Sequence, residues 1–392
     1  MTDNGGLHPV PLLRLGFRPF YLFGGLFAVI GIPAWMAIYF GLLQAPALMP
    51  SLLWHAHEML FGFVGAIVAG FLFTAVANWT GRPTPRGVPL ALLTLLWIAG
   101  RTVFWFDVIP DVVSILVDAS FLFLVALAIL KPVLAAANWR NLGVVAIVAL
   151  FAAANLLFHL ANTGVVHYSL AAALQNGLNV VVLIIVVIGG RVIPFFTANT
   201  IPGSGAHRDS AGDILGIGSV VLVLIIEALP QGASILPPVA LAAALFNAWR
   251  MVSWAPVAAL DKPILWVLHL GYAWVIVGLA LKGLSVETNL VPQTAAVHAI
   301  TVGAIGTMTL GMMTRTALGH SGRPLVLPRP VVWSYVLVNL AALVRVAGTF
   351  VASGGYALSL LFSTAAWSAA WLIFVIVYWP ILTRPRIDGR PG

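Results

Sequence analysis

The chain has 392 residues, of which 61% are hydrophobic and only 8% are charged, and its formal net charge is +8. A water-soluble protein needs far more charge to cover its surface, so this composition excludes a soluble fold and indicates an integral membrane protein. The absence of cysteine excludes disulfides, thiolate metal sites, iron–sulfur clusters and covalently attached haem. The positive charge does not indicate nucleic-acid binding, because the basic residues fall in short loops between apolar segments.

Twelve apolar segments, most of them near the roughly 20 residues that cross a bilayer, predict twelve transmembrane helices. A membrane β-barrel is excluded because the sequence lacks alternating ten-residue strand patterns. We therefore predict an all-α, multi-pass membrane protein with a single transmembrane domain over residues 1–392. Short loops rich in glycine, proline and asparagine separate the helices. The predicted helices run near 17–43, 55–79, 88–106, 112–130, 142–162, 169–190, 214–230, 236–251, 263–283, 294–318, 331–351 and 357–382.

The basic residues predict how these helices are oriented. Three of the nineteen lysines and arginines, namely Arg101, Lys282 and Arg345, fall toward one side of the membrane, and the other sixteen fall on the opposite side. By the positive-inside rule the sixteen face the cytoplasm, so both termini are expected to be cytoplasmic. The even number of helices agrees with this orientation.

The second predicted helix starts on the outer side of the membrane, and the sequence at its start is Trp-His-Ala-His-Glu-Met-Leu, residues 54–60. Ionisable side chains are costly inside a membrane, so the histidines and the glutamate are functional candidates. His55 and His57 are two residues apart and point to different faces of a regular helix, whereas His55 and Glu58 share a face. Three roles are open for these histidines: ligation of haem or another metal, proton relay, and structural hydrogen bonding.

Helix 2 is repeated in helix 10. His57 and His298 are each followed, at identical spacing, by three glycines and a Gly-Arg-Pro turn. The matched residues are Gly62 with Gly303, Gly65 with Gly306, Gly70 with Gly311, and 81–83 with 322–324. A weaker similarity links residues 13–17 with 268–272 in helix 9. Helices 1–2 and 9–10 therefore look like copies, which favours four-helix units and resembles the plan of the haem–copper oxidase catalytic subunit.

The repeat suggests a first metal site. Because His57 and His298 occupy the same depth on two glycine-rich helices, we predict that both ligate iron, as a haem b. Arg101 and Arg345 lie toward the outer ends of helices 3 and 11. A buried arginine needs an anionic partner, so these two residues would pair with haem propionates or with buried acids.

His55 and Glu58 suggest a second metal centre, with His159 at the end of helix 5 as the third partner. Imidazole suits copper and iron, and a nearby carboxylate suits non-haem iron or proton delivery. The alternative for His159 is structural hydrogen bonding within the helix bundle. On the inner side, His269 in helix 9 and His320 after helix 10 are additional candidates.

Three acids in the outer parts of the helices are candidates for proton transfer. Glu58 is the expected catalytic group, and Asp118 and Glu227 are the expected relays, because partly buried carboxylates exchange protons near neutral pH. The alternative is that Asp118 and Glu227 form structural ion pairs with Arg101 or Arg345. A site in the outer third of the membrane would draw its protons from the periplasm.

Five segments resemble the NnrS family of bacterial membrane proteins. The segments at 54–63 and 298–315 are the most specific, and together the five extend over most of the chain. They are Leu-Arg-Leu-Gly-Phe-Arg-Pro-Phe at 13–20, Trp-His-Ala-His-Glu-Met-Leu-Phe-Gly-Phe at 54–63, the His-Ala-Ile-Thr-Val-Gly segment at 298–315, Gly-Gly-Arg-Val-Ile-Pro-Phe-Phe-Thr at 189–197 and Leu-His-Leu-Gly-Tyr-Ala-Trp at 268–274.

The resemblance implies a haem- and copper-containing protein of the bacterial inner membrane, connected with nitric oxide, denitrification and nitrosative stress. We expect an oxidoreductase that reduces nitric oxide to nitrous oxide at a periplasmic-side metal site. Since the chain carries no covalent haem, its electrons would come from quinol or from a separate electron-carrier protein. One alternative is a non-catalytic haem–copper protein that binds or senses nitric oxide or handles a metal. A transporter is less favoured, because its site would lie at the bilayer midplane.

Overall fold

The computed structural model describes residues 8–49, 51–106, 108–229, 232–287, 291–351 and 353–390. These residues form helices and short connections, and no β-strand occurs among them, which confirms the all-α prediction. Within the described ranges, eleven helices are long and apolar enough to cross a bilayer, and a further apolar helix, Leu236–Val252, is shorter. The chain is therefore a multi-pass membrane protein.

The twelve predicted helices all have counterparts in the structure, and most of the bounds agree within a few residues. We number them α1 to α12. They are Phe17–Tyr39, Ser51–Thr80, Val88–Trp105, Asp111–Ala135, Leu142–Asn162, Leu170–Thr200, Ser210–Ala228, Leu236–Val252, Pro263–Glu287, Gln293–His320, Arg329–Gly348 and Ser353–Thr383.

The largest difference is at α6, which continues to Thr200 rather than ending near residue 190. Two consecutive glycines favour a helix end in sequence, but here they are packing positions inside the helix. A Cβ at Gly189 would touch the ring of Tyr272, and a Cβ at Gly190 would overlap the guanidinium of Arg250. The helix therefore continues because these two side chains fill the space that the glycines leave.

The chain is organised as two compact units, each assembled from separate stretches. Unit 1 comprises Met1–Gly177, Met313–Leu325 and Trp371–Gly392, and unit 2 comprises Leu178–Met312 and Val326–Ala370. Unit 1 thus contains α1 to α5, the first residues of α6 and the C-terminal ends of α10 and α12. Unit 2 contains α7, α8, α9 and α11 with most of α6 and the N-terminal parts of α10 and α12.

The repeated helices α2 and α10 share an uncommon backbone feature. Directly after His57, α2 changes from α-helical to π-helical geometry over Glu58–Val64, and α10 makes the same change after His298, over Ala299–Gly306. π-helical segments are rare and occur frequently at functional sites. The repeat seen in the sequence is therefore also a repeat of the backbone.

A buried arginine in α1 connects the first helix to the last. Arg18 has no exposed surface, and its Nη1 donates hydrogen bonds to the carbonyl oxygens of Leu382 at 2.9 Å and Arg384 at 2.8 Å. The last carbonyls of a helix have no partner within it, and a positive charge there is favourable. Arg18 therefore caps the C-terminal end of α12 within unit 1.

Candidate metal centre

Four consecutive helices of unit 1, α2 to α5, bring six polar side chains together at the helix ends that we predict to face outward. All six are buried, and the two histidines have no exposed surface. Polar groups this deep are stable only when they are paired, so their partners define the site. The six are His57 and Glu58 from α2, Arg101 from α3, Asp118 from α4, and Asn155 and His159 from α5.

His57 lies at the centre of the cluster and uses both ring nitrogens. Its Nδ1 lies 3.1 Å from Glu58 Oε1, and its Nε2 lies 3.0 Å from Asn155 Oδ1 and 3.3 Å from Asp118 Oδ2. Both ring nitrogens therefore lie within hydrogen-bond distance of oxygen atoms that can accept.

Asp118 connects the other members of the cluster. Its Oδ2 accepts hydrogen bonds from His159 Nε2 and from Asn155 Nδ2, each at 2.9 Å, and its carboxylate pairs with Arg101. Arg101 also reaches Glu58, with 3.3 Å between Nη1 and Oε2. Two buried carboxylates thus share one guanidinium, so electroneutrality needs one further positive charge at the site. A second proton on the imidazole would supply this charge, and a metal ion in its place would supply at least as much.

Gly62 makes room for the guanidinium in this cluster. A Cβ on Gly62, within the π-helical segment of α2, would fall on the guanidinium of Arg101. The Gly62 carbonyl oxygen also accepts a hydrogen bond at 2.9 Å from the indole nitrogen of Trp97 in α3. The repeated glycine therefore sets the spacing of α2 and α3 beside the ion pairs.

Three of the six side chains could hold a metal ion. His57, Asp118 and His159 offer ligand atoms that all lie within 4.8 Å of one another. Two imidazole nitrogens and a carboxylate oxygen form a donor set that binds iron, copper or zinc. Glu58 and Asn155 contact these ligands from outside, as the outer partners of metal ligands do. The donor chemistry fits a metal ion.

The surroundings of His57 do not fit a haem. Ring centroids of Phe158, Phe61 and Phe104 lie 4.9, 5.3 and 6.2 Å from that of His57, and the ring of His159 lies at 4.9 Å. Together with its complete burial, these rings leave His57 no open side for a porphyrin within the described part of unit 1. They would keep water away from a bare ion instead.

The sequence groups His55 with Glu58, and in the structure His55 contacts α1. Its ring stacks on Trp35 of α1, with 4.2 Å between centroids and 24° between the planes. The structure brings His57, rather than His55, to Glu58 and His159. The change to π-helical geometry begins at Glu58, so a face assignment based on regular α-helical spacing does not apply across it.

Glu227 and Arg345, the other acid and arginine singled out in the sequence, belong to unit 2 and have partners there. Glu227 pairs with Lys282 of α9, and Glu227 Oε2 accepts a hydrogen bond from Asn179 Nδ2 at 2.6 Å. Arg345 donates to the hydroxyl of Tyr356 at 3.2 Å, and its guanidinium lies 5.5 Å from the centre of that ring. Asp118 forms the ion pair with Arg101 that the structural alternative predicts, whereas the partner of Glu227 is a lysine.

Unit 2 contains a second buried ion pair that the sequence did not suggest. Arg250 of α8 donates to Asp213 Oδ1 at 2.7 Å, to the Val186 carbonyl at 2.9 Å and to the Tyr272 hydroxyl at 3.1 Å. Asp213 was predicted to precede helix 7, but α7 begins at Ser210 and includes it. These bonds join α6, α7, α8 and α9, so Arg250 and Asp213 have a structural role.

The remaining predicted histidines are separate from the cluster of six. His298 is half-buried, and its Nδ1 lies 2.7 Å from the Thr294 carbonyl oxygen, to which it can donate. His269 is buried, and its Nε2 lies 3.1 Å from Thr197 Oγ1. The ring of His320 packs against Phe17, with 5.9 Å between centroids. Haem ligation by His298 stays a prediction, and His269 and His320 stay additional candidates.

Asn155 is the member of the cluster that sequence reasoning missed. It lies four residues before His159 on α5, so both side chains are on one face of the helix. An uncharged amide four residues from a candidate ligand in a membrane helix is a signal that could have found it.

Comparison with known proteins supports the resemblance seen in the motifs. The family model of the NnrS protein matches residues 11–386. No curated protein matches the chain. The family match covers nearly the entire sequence, including α2 and α10 with their π-helical segments. The chain belongs to the NnrS family.

Proposed function

We propose that this protein binds one ion of copper or non-haem iron through His57, Asp118 and His159 and reduces nitric oxide to nitrous oxide at that site. The observation that carries the proposal is the buried cluster itself, in which three ligand atoms lie within 4.8 Å of one another beside two carboxylates and one guanidinium. Family membership supports the connection with nitric oxide. A haem b with His298 as its ligand would be the second redox group.

The side chains around the site would orient the ligands. Glu58 accepts from Nδ1 of His57, and this contact directs Nε2 toward Asp118. Asn155 lies between His57 and Asp118 and contacts both. A bound metal would supply a centre that holds nitric oxide and passes electrons to it. A metal at Nε2 of His57 would take the place of a proton on this nitrogen.

The reaction consumes two molecules of nitric oxide, two protons and two electrons, and yields nitrous oxide and water. Glu58 is suited to deliver the protons, because its Oε1 is in hydrogen-bond contact with His57 and both groups lie at the predicted outer end of α2. Quinol or a separate electron-carrier protein would supply the electrons. The aromatic rings around His57 would admit a small uncharged gas more readily than a charged substrate.

Metal analysis of the purified protein tests the proposal. We expect the wild type to retain one copper or non-haem iron per chain, and His159→Ala to lose affinity by more than the 10- to 100-fold that removal of an outer partner costs. His207→Ala, in an exposed loop, is the matched control and should keep the metal. Equal metal content in all three proteins would overturn the assignment of the site.

The complete burial of the two histidines favours one alternative, in which the site binds nitric oxide or a metal without turnover. Consumption of nitric oxide by the metal-loaded protein, measured with a reduced quinol and with detection of nitrous oxide, separates the two. Turnover that disappears in Glu58→Gln while the metal stays bound supports catalysis. A bound metal without any consumption of nitric oxide supports the binding protein.

A further inference from the structure

A basic cleft lies at the other end of α2, roughly 35 Å along the helix from His57. The cleft has a volume of about 380 Å³ and lies entirely within unit 1. No acidic side chain is among the described residues that line it. Its polar lining consists of Thr74, Asn78, Arg82, Arg86, His320 and Arg386.

Two of the three arginines are available to a ligand. Arg82 and Arg86 are exposed, and within the described ranges neither side chain forms a hydrogen bond or an ion pair. Arg386 differs from them, because it donates to Asp388 Oδ1 at 2.9 Å and to the His320 carbonyl oxygen at 3.0 Å. The side chain of Arg386 is therefore held in place at the edge of the cleft, whereas Arg82 and Arg86 have N–H donors that a ligand could use.

The loop that carries Arg82 and Arg86 is held in place by the surrounding chain. Thr84 is buried, and its hydroxyl donates to the Phe73 carbonyl oxygen at 2.7 Å. The backbone N–H of Gly87 donates to the Leu13 carbonyl oxygen at 2.8 Å. A ligand would thus meet a loop that is already ordered, which lowers the entropic cost of binding.

Further positive charge lies close to the cleft. The buried guanidinium of Arg18 interacts electrostatically with Arg14, Arg323 and Arg386. The positive-inside rule accounts for basic residues in this loop, but it does not require two unpaired guanidinium groups to line one pre-formed cleft. A site with these properties is complementary to a compact anion.

We propose that the cleft binds one phosphate group, either that of an anionic phospholipid or a free phosphate ion. Guanidinium groups bind phosphate through paired N–H···O hydrogen bonds, which matches the donors of Arg82 and Arg86. Directly after this loop, α3 exposes Val88 and Leu92, at 66% and 61% of their surfaces. These apolar side chains would lie along the acyl chains of a lipid whose headgroup occupies the cleft.

Lipid binding to the full chain tests the site. The probes are phosphatidylglycerol and phosphatidylcholine, each added to delipidated protein in a neutral detergent and followed by native mass spectrometry. The double variant Arg82→Gln/Arg86→Gln should bind phosphatidylglycerol about 30-fold more weakly, because each basic residue near an anionic lipid surface contributes a factor of about five. Arg140→Gln, an exposed arginine in another loop of unit 1, is the matched control and should bind like the wild type.

A second arm identifies the source of the phosphate. Inorganic phosphate is added to the same lipid-free proteins, and the melting temperature is compared with that in an equal concentration of chloride. Stabilisation of the wild type and Arg140→Gln, but not of the double variant, assigns a free phosphate ion. Selective binding of phosphatidylglycerol without this stabilisation assigns a lipid.

The proposal is overturned if the double variant binds phosphatidylglycerol and inorganic phosphate as well as the wild type does, or if the wild type binds neither of them. It is also overturned if Arg140→Gln loses as much affinity for these ligands as the double variant does. The single variants Arg82→Gln and Arg86→Gln, with circular dichroism as the folding check, keep the test valid if the double variant is poorly folded. Metal binding at His57 plays no part in these outcomes, so they are independent of the function proposed above.

Discussion

Replacing Gly62 by alanine tests how far the ion pairs of the metal centre depend on a position without a side chain. The new Cβ would fall on the guanidinium of Arg101, which pairs with Asp118 and lies 3.3 Å from Glu58 Oε2. The guanidinium has to move, and at least one carboxylate then remains buried without its partner.

The expected loss of stability follows from these contacts. Breaking a buried ion pair on one side costs about 3–5 kcal/mol, and we expect about 3 kcal/mol because Arg101 still reaches one of its two carboxylates. Alanine favours a helix over glycine by about 1 kcal/mol, which offsets part of this cost. The net destabilisation should therefore be about 2 kcal/mol, or roughly 30-fold in the unfolding equilibrium.

The measurement is reversible unfolding of the metal-free protein in mixed detergent micelles, followed by circular dichroism. Gly143→Ala is the control, because that glycine is an exposed position of α5 and its new Cβ would meet no atom within 4 Å. This variant should be neutral or gain up to about 1 kcal/mol. If Gly62→Ala is as stable as Gly143→Ala, the guanidinium does not depend on the glycine, and the reasoning is refuted.

Two further substitutions probe one buried polar contact in each unit. Asn155→Leu removes the amide that bridges His57 and Asp118, so metal affinity should fall about 10- to 100-fold while the metal remains detectable. Competition with a chelator measures this affinity, and an unchanged value would show that the amide has no role. Lys282→Met leaves Glu227 without its cation and should lower the free energy of unfolding by about 3 kcal/mol. The double variant Lys282→Met/Glu227→Gln should recover most of this loss, and equal losses in the two proteins would mean that the pair is not coupled.

The helices could be predicted from the sequence because the length of an apolar segment is a local property. The bounds of α2 and α9, for example, follow from long, mainly apolar segments that end at polar loops. The extension of α6 could not be predicted, because it depends on Tyr272 and Arg250, which are distant in sequence and fill the space beside Gly189 and Gly190.

The membership of the metal centre was predicted only in part, for the same kind of reason. His57, Glu58, Asp118 and His159 were singled out because ionisable groups are rare in membrane helices. Which histidine contacts Glu58 also depends on the π-helical segment, in which Glu58 is the first residue: the structure places His57 against Glu58 and stacks the ring of His55 on Trp35.

The pairing of ions also depends on how the helices pack. Lys282 lies 55 residues from Glu227, and nothing local in the sequence joins them. The match between His57 and His298 was visible in the glycine spacing, but the π-helical geometry that the two helices share was not.

The cap that Arg18 places on α12 has a consequence for the order in which the protein is made. Arg18 is synthesised 364 residues before Leu382, whose carbonyl oxygen it binds. At synthesis rates of about 5–20 residues per second, roughly 20–70 seconds pass between the two. During that time α1 is present without the helix end that satisfies its buried guanidinium. The hydrogen bonds that join the first helix to the last can therefore form only after the ribosome has made the last one.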